Sequence, residues 1–253
     1  MTTSFRTRCL GSAFALAVFI HVPPPAVAQT LLRETPAPKI SRPFSSLFGD
    51  TVADFRGLAS TQPLTILGIG AIAAAAVHVA DPSMTSMLAT NRASFLGPGE
   101  TIGSARLQLA GALATFAAGR ITGNAKISAV GADLVSANIV AQTLTGAVKM
   151  SVRRGRPDGT QFSFPSGHTS VSFASATVLQ RHFGWKAGVP AYAMASYVAA
   201  SRIHDKRHFL SDVAFGAALG IVSGWTVTMG HGDAQMTMAP VASPGGAGLS
   251  LSW

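Results

Sequence analysis

The chain has 253 residues, which is enough for one domain with a substantial core or for two small ones. Hydrophobic residues make up 48% of it and charged residues only 11%, whereas soluble domains average roughly 25% charged residues. The chain therefore either buries most of its surface in a tight bundle or places part of it in lipid. The formal charge of +9 favours an anionic partner. No nucleic-acid motif accompanies that charge, so nucleic acid is not an expected partner.

The first 28 residues have the pattern of a secretory signal. Two arginines precede an apolar run from Leu10 to Ile20, and a small-residue cleavage pattern, Ala-Val-Ala, ends at Ala28. The run is short for a bilayer span, and an uncleaved anchor is the alternative interpretation. Cleavage would remove Cys9, the single cysteine. A mature chain without thiols fits an oxidising compartment, so we expect an exported protein of the cell envelope that faces the periplasm.

A linker and a short helix follow the signal and complete the segment 29–62. Residues 29–43 contain three prolines and little periodicity. From Phe44 to Leu58 the apolar residues recur with approximately helical spacing, which predicts an amphipathic helix. This helix could lie on a membrane surface or pack on the domain.

The region 63–228 predicts one helical domain. Six apolar segments are separated by glycine, proline and charged residues, without strand-like alternation. We therefore expect an all-α protein, a bundle of about six core helices. The predicted helices cover residues 63–80, 105–119, 127–149, 168–183, 187–202 and 208–228.

The C-terminal tail, residues 229–253, has a different pattern. Polar and apolar residues alternate on both sides of a turn signal, Ser243-Pro244-Gly245-Gly246. This pattern predicts a small β-hairpin, with a disordered tail as the alternative.

Three polar motifs interrupt the apolar pattern between residues 149 and 212. The first ends one predicted helix, the second opens the next, and the third bridges two helices. They are Lys149 with Arg156-Pro157; Pro165-Ser166-Gly167-His168; and Ser201-Arg202 with His208 and Asp212.

The third motif contains a pair suited to nucleophilic catalysis. His208 and Asp212 are four residues apart, so on a helix they share one face. A carboxylate that accepts a hydrogen bond from one imidazole nitrogen fixes the tautomer and leaves the other nitrogen free to attack. Taken alone, such a pair is more often a surface contact or a helix cap.

The other residues suggest a phosphate cradle. Ser166 and Gly167 open a helix, where backbone N–H groups are unpaired and can bind an anion that His168 also reaches. Lys149, Arg156 and Arg202 supply the positive charge that a transferring phosphoryl group requires. A helix cap and solvated basic residues are the plain alternatives for each part taken alone.

Together the three motifs resemble the signature of the phosphatidic acid phosphatase type 2/haloperoxidase superfamily. All eleven specified positions are present, in order and with the internal spacings of that signature. The resemblance implies a helical bundle whose site lies where helix ends converge. It also implies phosphate binding by Lys149, Arg156, Ser166, Gly167 and Arg202, acid/base catalysis by His168, and attack by His208 with Asp212 as its partner.

The activity expected from this resemblance is hydrolysis of a phosphomonoester or diphosphate through a phosphohistidine, without a metal or other cofactor. A phosphorylated lipid is favoured over a soluble substrate because of the apolar N-terminal helices. The alternatives are a periplasmic acid phosphatase on soluble phosphomonoesters, a haloperoxidase that holds vanadate in the same cradle, and a binder without turnover.

Further basic residues flank the motifs, and only residues 158–164 separate the first motif from the second. That short connection favours an open site. The flanking residues either attract a polyanionic substrate or are ordinary solvated charges; they are Arg153, Arg154, His204, Lys206 and Arg207.

The relation of the helices to a membrane stays open at this stage. Only 63–80 is strongly apolar over a spanning length, and 127–149 carries polar residues such as Asp133. With a cleaved signal, six crossings would leave the motif loops in the cytoplasm. We therefore favour a periplasmic or membrane-associated bundle, partly embedded, slightly over a multi-pass protein.

Overall fold

The structure of the chain, a computed structural model, describes residues 46–229, 237–243 and 246–252. The predicted signal peptide and linker lie outside these residues and stay predictions. The described residues form helices and one C-terminal hairpin, which confirms the predicted all-α bundle.

The helices match the predicted segments to within a few residues. The six predicted segments correspond to the second α-helix of the described residues and to the fifth through ninth. The segments are 63–80, 105–119, 127–149, 168–183, 187–202 and 208–228. Short 3-10 helices lie at His78–Ala80 and Asn91–Leu96. The α-helices of the described residues are α1 (Ser46–Gly57), α2 (Thr61–Val77), α3 (Asp81–Leu88), α4 (Gly99–Ile102), α5 (Ala105–Ile121), α6 (Ala125–Val152), α7 (Gly167–Phe183), α8 (Trp185–His204) and α9 (Leu210–Val227).

Polar caps fix the starts of two core helices, α5 and α6. The Ser104 hydroxyl accepts from the N–H of Leu107, which is the third residue of α5. The Asn124 side chain accepts in the same way from Ile127 in α6. Such caps satisfy N–H groups that have no partner inside the helix. They explain why each helix begins directly after a Ser or Asn.

A row of glycines lets α9 pack against α7 almost backbone to backbone. A Cβ atom at Gly216 would lie 2.7 Å from the carbonyl oxygen of Ser166, and one at Gly220 only 2.2 Å from that of Ser170. Gly224 continues the row one turn later, 2.7 Å from the carbonyl oxygen of Ala174 by the same measure. Small residues four apart therefore hold these helices in close contact over their length.

Valine and alanine side chains fill the core between α6, α7 and the neighbouring helices. Val140, Val171 and Val178 are fully buried there. Phe55 of α1 packs against this core, and the hydroxyl of Thr51 hydrogen-bonds that of Ser136 at 2.9 Å. The amphipathic helix therefore packs on the domain, which decides between the two placements considered for it.

Among the residues that the structure describes, three helical segments are long and apolar enough to cross a membrane. They are Thr61–Leu88, Ala125–Val152 and Leu210–Val227. Only 17% of the most apolar window of Thr61–Leu88 is buried within the protein, against 67% for Ala125–Val152. The first of them thus exposes an apolar surface suited to lipid, and the chain is a membrane-associated protein.

The tail forms the predicted β-hairpin. Strand β1 (Thr237–Ser243) pairs antiparallel with β2 (Gly246–Ser252), with Ser243 opposite Gly246. The predicted turn residues Pro244 and Gly245 lie outside the described residues.

Candidate active site

The three motifs meet at one end of the bundle because α6 runs antiparallel to α7, and α9 runs parallel to α7. The backbone N–H of Ser166, at the start of α7, donates to the carbonyl oxygen of Asp212 in α9 at 3.0 Å. Lys149, in the last turn of α6, donates to the carbonyl oxygen of Phe162 at 2.7 Å. Each motif therefore contacts either the short connection between α6 and α7 or the start of α7.

His208 is 3% exposed, and one of its ring nitrogens is held by the backbone. Nδ1 lies 2.6 Å from the carbonyl oxygen of Ser163, so Nδ1 carries the proton and Nε2 has a free lone pair. The carboxylate of Asp212 lies 3.8 Å from Nδ1, beyond hydrogen-bond length. The direct bond to Asp212 expected from the sequence is thus replaced by one to Ser163, and Asp212 acts on the ring through its charge.

Asp212 is fully buried and receives several hydrogen bonds. The Ser163 hydroxyl and the N–H of Phe209 donate to Oδ2, and the guanidinium of Arg154 donates to Oδ1 at 2.7 Å. Ser163 therefore bonds both members of the pair, the ring of His208 through its carbonyl and the carboxylate of Asp212 through its hydroxyl. This serine is the physical link between them.

His168, in the first turn of α7, is surrounded by positive charge. Burial, the nearby charges of Arg202 and His208, and those of Lys149 and Arg156 lower its pKa to about 4. Burial also lowers the pKa of His208. Both imidazoles are therefore neutral at pH 7, and the positive charges near His168 include those of the predicted cradle, Lys149, Arg156 and Arg202.

Two arginines have buried N–H donors without a hydrogen-bond acceptor among the described residues. The Nε atoms of Arg156 and Arg202 are both buried and without a hydrogen-bond partner in that part of the chain. Arg202 is 2% exposed; its Nη1 donates to Asp205 at 2.9 Å, and Nη2 lies 3.8 Å from Glu100. Burying a polar donor without a partner is costly, so such atoms mark a place for an anion.

The start of α7 differs in one respect from the sequence prediction. Ser166 caps the helix, with its hydroxyl oxygen accepting from Thr169, but its own N–H is used by the carbonyl oxygen of Asp212. The first-turn N–H groups of Gly167 and His168 are the ones that can face an anion. A Cβ at Gly167 would lie 3.5 Å from Thr145, an ordinary contact, so the packing of the protein itself does not require glycine there.

Most of the flanking basic residues are engaged in ion pairs. Arg207 pairs with Asp158 at 2.8 Å, and His204 lies 2.9 Å from Asp205. Arg154 bonds both Asp212 and Asp81. For these three residues the structure favours roles inside the protein over attraction of a polyanionic substrate.

Sequence reasoning did not identify Ser163 or Asp81 as parts of the site, and it named Arg154 only as a basic residue that flanks the motifs. Ser163 acts partly through its carbonyl, which every residue has, so its identity gave no signal. Asp81 did give a signal. The chain has only 10 acidic residues, and this one directly follows a long apolar helix, where a buried carboxylate needs a partner.

Part of the chain is similar to known proteins. Residues 131–235 match the model of the PAP2 superfamily. Lipid A 1-phosphatase of Porphyromonas gingivalis is 45% identical over 85 residues, which cover 32% of this chain and 19% of that protein. Decaprenylphosphoryl-5-phosphoribose phosphatase of Mycobacterium tuberculosis is 35% identical over 106 residues, 38% of this chain and 58% of that protein.

A solved structure is also similar. The crystal structure of Aquifex aeolicus LpxE aligns with a TM-score of 0.44 at 22% identity, over 54% of this chain and 84% of that one. The chain spans less than two thirds of the length of either relative named above. The similarity to those relatives is therefore confined to part of each of them.

Proposed function

We propose that the chain, whose residues 131–235 match the model of the PAP2 superfamily, removes phosphate from a phosphorylated lipid through a phosphohistidine at His208. The observation that carries the proposal is the pairing of a buried His208, whose Nδ1 is held by Ser163, with buried guanidinium donors of Arg156 and Arg202 that have no hydrogen-bond partner among the described residues. A nucleophile beside a pre-formed anion site is what phosphoryl transfer requires.

The first chemical step forms the covalent intermediate. Nε2 of His208 attacks phosphorus, the bond between phosphorus and the ester oxygen breaks, and the leaving oxygen takes a proton from His168. Lys149, Arg156 and Arg202 stabilise the charge on the equatorial oxygens, with the N–H groups that open α7. Asp212 stabilises the positive charge that develops on the ring of His208.

The second step regenerates the enzyme. A water molecule gives a proton to His168 while its oxygen attacks phosphorus. The bond between phosphorus and Nε2 of His208 breaks, and inorganic phosphate leaves. His168 thus acts first as acid and then as base. It can do so because the ring that gave up its proton in the first step is able to accept one in the second.

Substrate binding raises the pKa of His168, so that this residue can take up the proton that it needs to act as an acid. In the free protein its pKa is about 4, because burial and the cradle's positive charges disfavour the imidazolium. A phosphate dianion placed among the same cations opposes that repulsion and raises the pKa of His168. Substrate binding therefore favours the protonated form of His168, whereas the free cradle favours the neutral form.

A lipid substrate is supported by the surface of the protein and by its relatives. Helix α2 exposes apolar side chains, Ile72 among them at 73% exposure, close in sequence to the polar groups of the site end. Both named relatives act, by their names, on a phosphate carried by a lipid. Export by the predicted signal at residues 1–28, with a periplasm-facing site, completes the proposal.

The test is phosphate release by the detergent-solubilised chain from a panel of phosphatidate, polyprenyl diphosphate, a lipid A preparation and a soluble phosphomonoester. We expect release from lipids, and a loss on the order of 10⁴-fold in His208→Ala. His182→Gln is the matched control, since His182 is a second buried histidine and lies at the other end of α7.

Two further measurements decide the mechanism and the alternatives. Quenching with labelled substrate should trap an acid-labile, base-stable phosphoprotein in the native chain and none in His208→Ala. A fully active His208→Ala protein would refute the mechanism. Halide oxidation with vanadate and peroxide, without phosphate release, would instead favour the haloperoxidase alternative.

A further inference from the structure

Asp81 is a buried acid that lies outside the family-matched region 131–235. It opens α3, is 2% exposed, and receives hydrogen bonds from an element of the active site. Its Oδ1 accepts from the N–H of Ser211 at 2.8 Å, and its Oδ2 accepts from the hydroxyl of Ser211 at 2.7 Å. Ser211 directly precedes Asp212, so Asp81 holds the first turn of α9 next to Asp212.

Arg154 connects the two acids. Its Nη2 donates to Oδ2 of Asp81 at 2.8 Å, and its Nη1 donates to Oδ1 of Asp212 at 2.7 Å. The guanidinium also lies over the ring of Phe209, 4.3 Å from its centroid. A planar fork that bonds one carboxylate on each side has a fixed orientation, and it fixes the orientation of both partners.

We propose that Asp81 and Arg154 are positioning residues for the phosphoryl transfer at His208. The proposal rests on the proposed function. Asp212 does not bond the ring of His208 directly but holds Ser163, whose carbonyl holds Nδ1. The orientation of the Asp212 carboxylate therefore decides the orientation of the nucleophile, and Asp81 decides that of Asp212 through Arg154.

The effect of breaking this chain of contacts should fall on kcat. Neither Asp81 nor Arg154 belongs to the cradle formed by Lys149, Arg156 and Arg202, so phosphate binding and KM stay close to native values. A loosened Asp212 places Nε2 of His208 less accurately and compensates its developing charge less well, and both effects act in the transition state.

The experiment compares Asp81→Asn, Arg154→Lys and Arg154→Met in the full chain, with kcat expressed per site that forms phosphohistidine. We expect kcat to fall about tenfold in Asp81→Asn and about 100-fold in Arg154→Met, with KM within twofold of native. Arg154→Lys keeps the charge but not the fork and should fall between them. The double variant Asp81→Asn/Arg154→Met should be no slower than Arg154→Met alone, because both act through one link.

Asp133→Asn is the matched control. Asp133 is also buried, at 1% exposure, and its carboxylate bonds a histidine, His182, at 2.7 Å. It lies in the same helix as Lys149 but about four turns away. A merely structural role for Asp81 predicts that both Asn variants lose stability and keep native kcat per labelled site. That result would overturn the proposal, as would additive effects in the double variant.

A measurement without turnover separates this proposal from the proposed function. In chain labelled with ¹⁵N-histidine, the Nδ1 proton of His208 should resonate far downfield, because it is held by the Ser163 carbonyl. We expect Asp81→Asn to shift or broaden that signal and Asp133→Asn to leave it unchanged. An inactive native chain would sink the proposed function alone, whereas an unchanged signal in Asp81→Asn would sink the positioning role.

Discussion

The two ends of the helical bundle contain similar side chains in different states. Each end has a buried histidine, aspartate and arginine. At the end away from the site, His182 bonds Asp133 directly at 2.7 Å. Arg181 at that end donates from Nε to the hydroxyl of Thr228 at 3.2 Å and lies over the ring of Trp225, 4.6 Å from its centroid.

At the site end the same kinds of group are held but not fully satisfied. His208 bonds a carbonyl and leaves Nε2 free, Asp212 stays 3.8 Å from the ring, and the Nε atoms of Arg156 and Arg202 are buried without partners among the described residues. Buried polar groups in native proteins are usually paired. Within the described residues, the unpaired Nε donors of Arg156 and Arg202, rather than residue type or burial, distinguish these groups from Arg181 at the far end.

The largest expected difference between the ends concerns the arginines. Arg202→Lys and Arg156→Lys should each lower kcat/KM by about 10²- to 10³-fold, because a lysine cannot replace a guanidinium that holds phosphate oxygens. Arg181→Lys should leave kcat/KM within about twofold and lower the thermal midpoint instead. Phosphate release and thermal unfolding of the three variants check this. Equal loss of activity in all three would remove the distinction.

The buried acids offer a stability test of the same comparison. Asp133→Asn weakens a charged hydrogen bond to His182 in a buried setting and should cost about 2 kcal/mol of unfolding free energy. Phosphate release per folded molecule should stay native. Denaturant unfolding, followed by activity at saturating substrate, measures both quantities. A drop in activity of the folded fraction would show that the far end is coupled to the site.

Two glycines should respond in opposite ways to alanine. At Gly224 a Cβ would lie 2.6 Å from that of Thr177, so Gly224→Ala should lower stability by about 1 to 2 kcal/mol with little change in KM. At Gly167 the protein has room, so stability should hold while KM rises up to about tenfold, because the added methyl group reduces the close approach of phosphate to the backbone. Thermal midpoints and KM values separate the two cases.

The smallest predicted effect is a loss of folding stability at low pH, which His168 at the site end causes. The pKa of His168 is about 4 in the folded protein, against about 6.5 in an unfolded chain. The unfolded state binds the proton first, so stability is present above pH 6.5 and is lost as the pH falls towards 4. Between pH 6.5 and 5 the loss should be about 1 kcal/mol. Thermal scans of native chain and His168→Gln test this, since the variant should lose less stability on acidification.

The sequence predicted the long helices well because their signals are local. Apolar periodicity and capping residues such as Ser104 and Asn124 mark where α5 and α6 begin. The short helices between residues 81 and 102 were not predicted, because prolines at 82 and 98 and glycines at 97 and 99 break any periodic pattern.

The site was predicted as a set of residue types but not as a set of contacts. Regular spacing identified His208 and Asp212, yet their link runs through Ser163, which is 45 residues from His208 in sequence. The bonds from Asp81 to Ser211 join residues 130 apart. Contacts of this range depend on the packing of whole helices, and no local pattern encodes them.

The connection between α6 and α7 limits how relatives of this chain can change what they bind. Phe162 holds Lys149, Ser163 holds both His208 and Asp212, and Asp158 ties the connection to the loop of Lys206 and Arg207. An insertion here would displace the nucleophile itself. Diversification of the substrate must therefore come from segments that border the cradle without building it, such as residues 89–104 and the exposed face of α2.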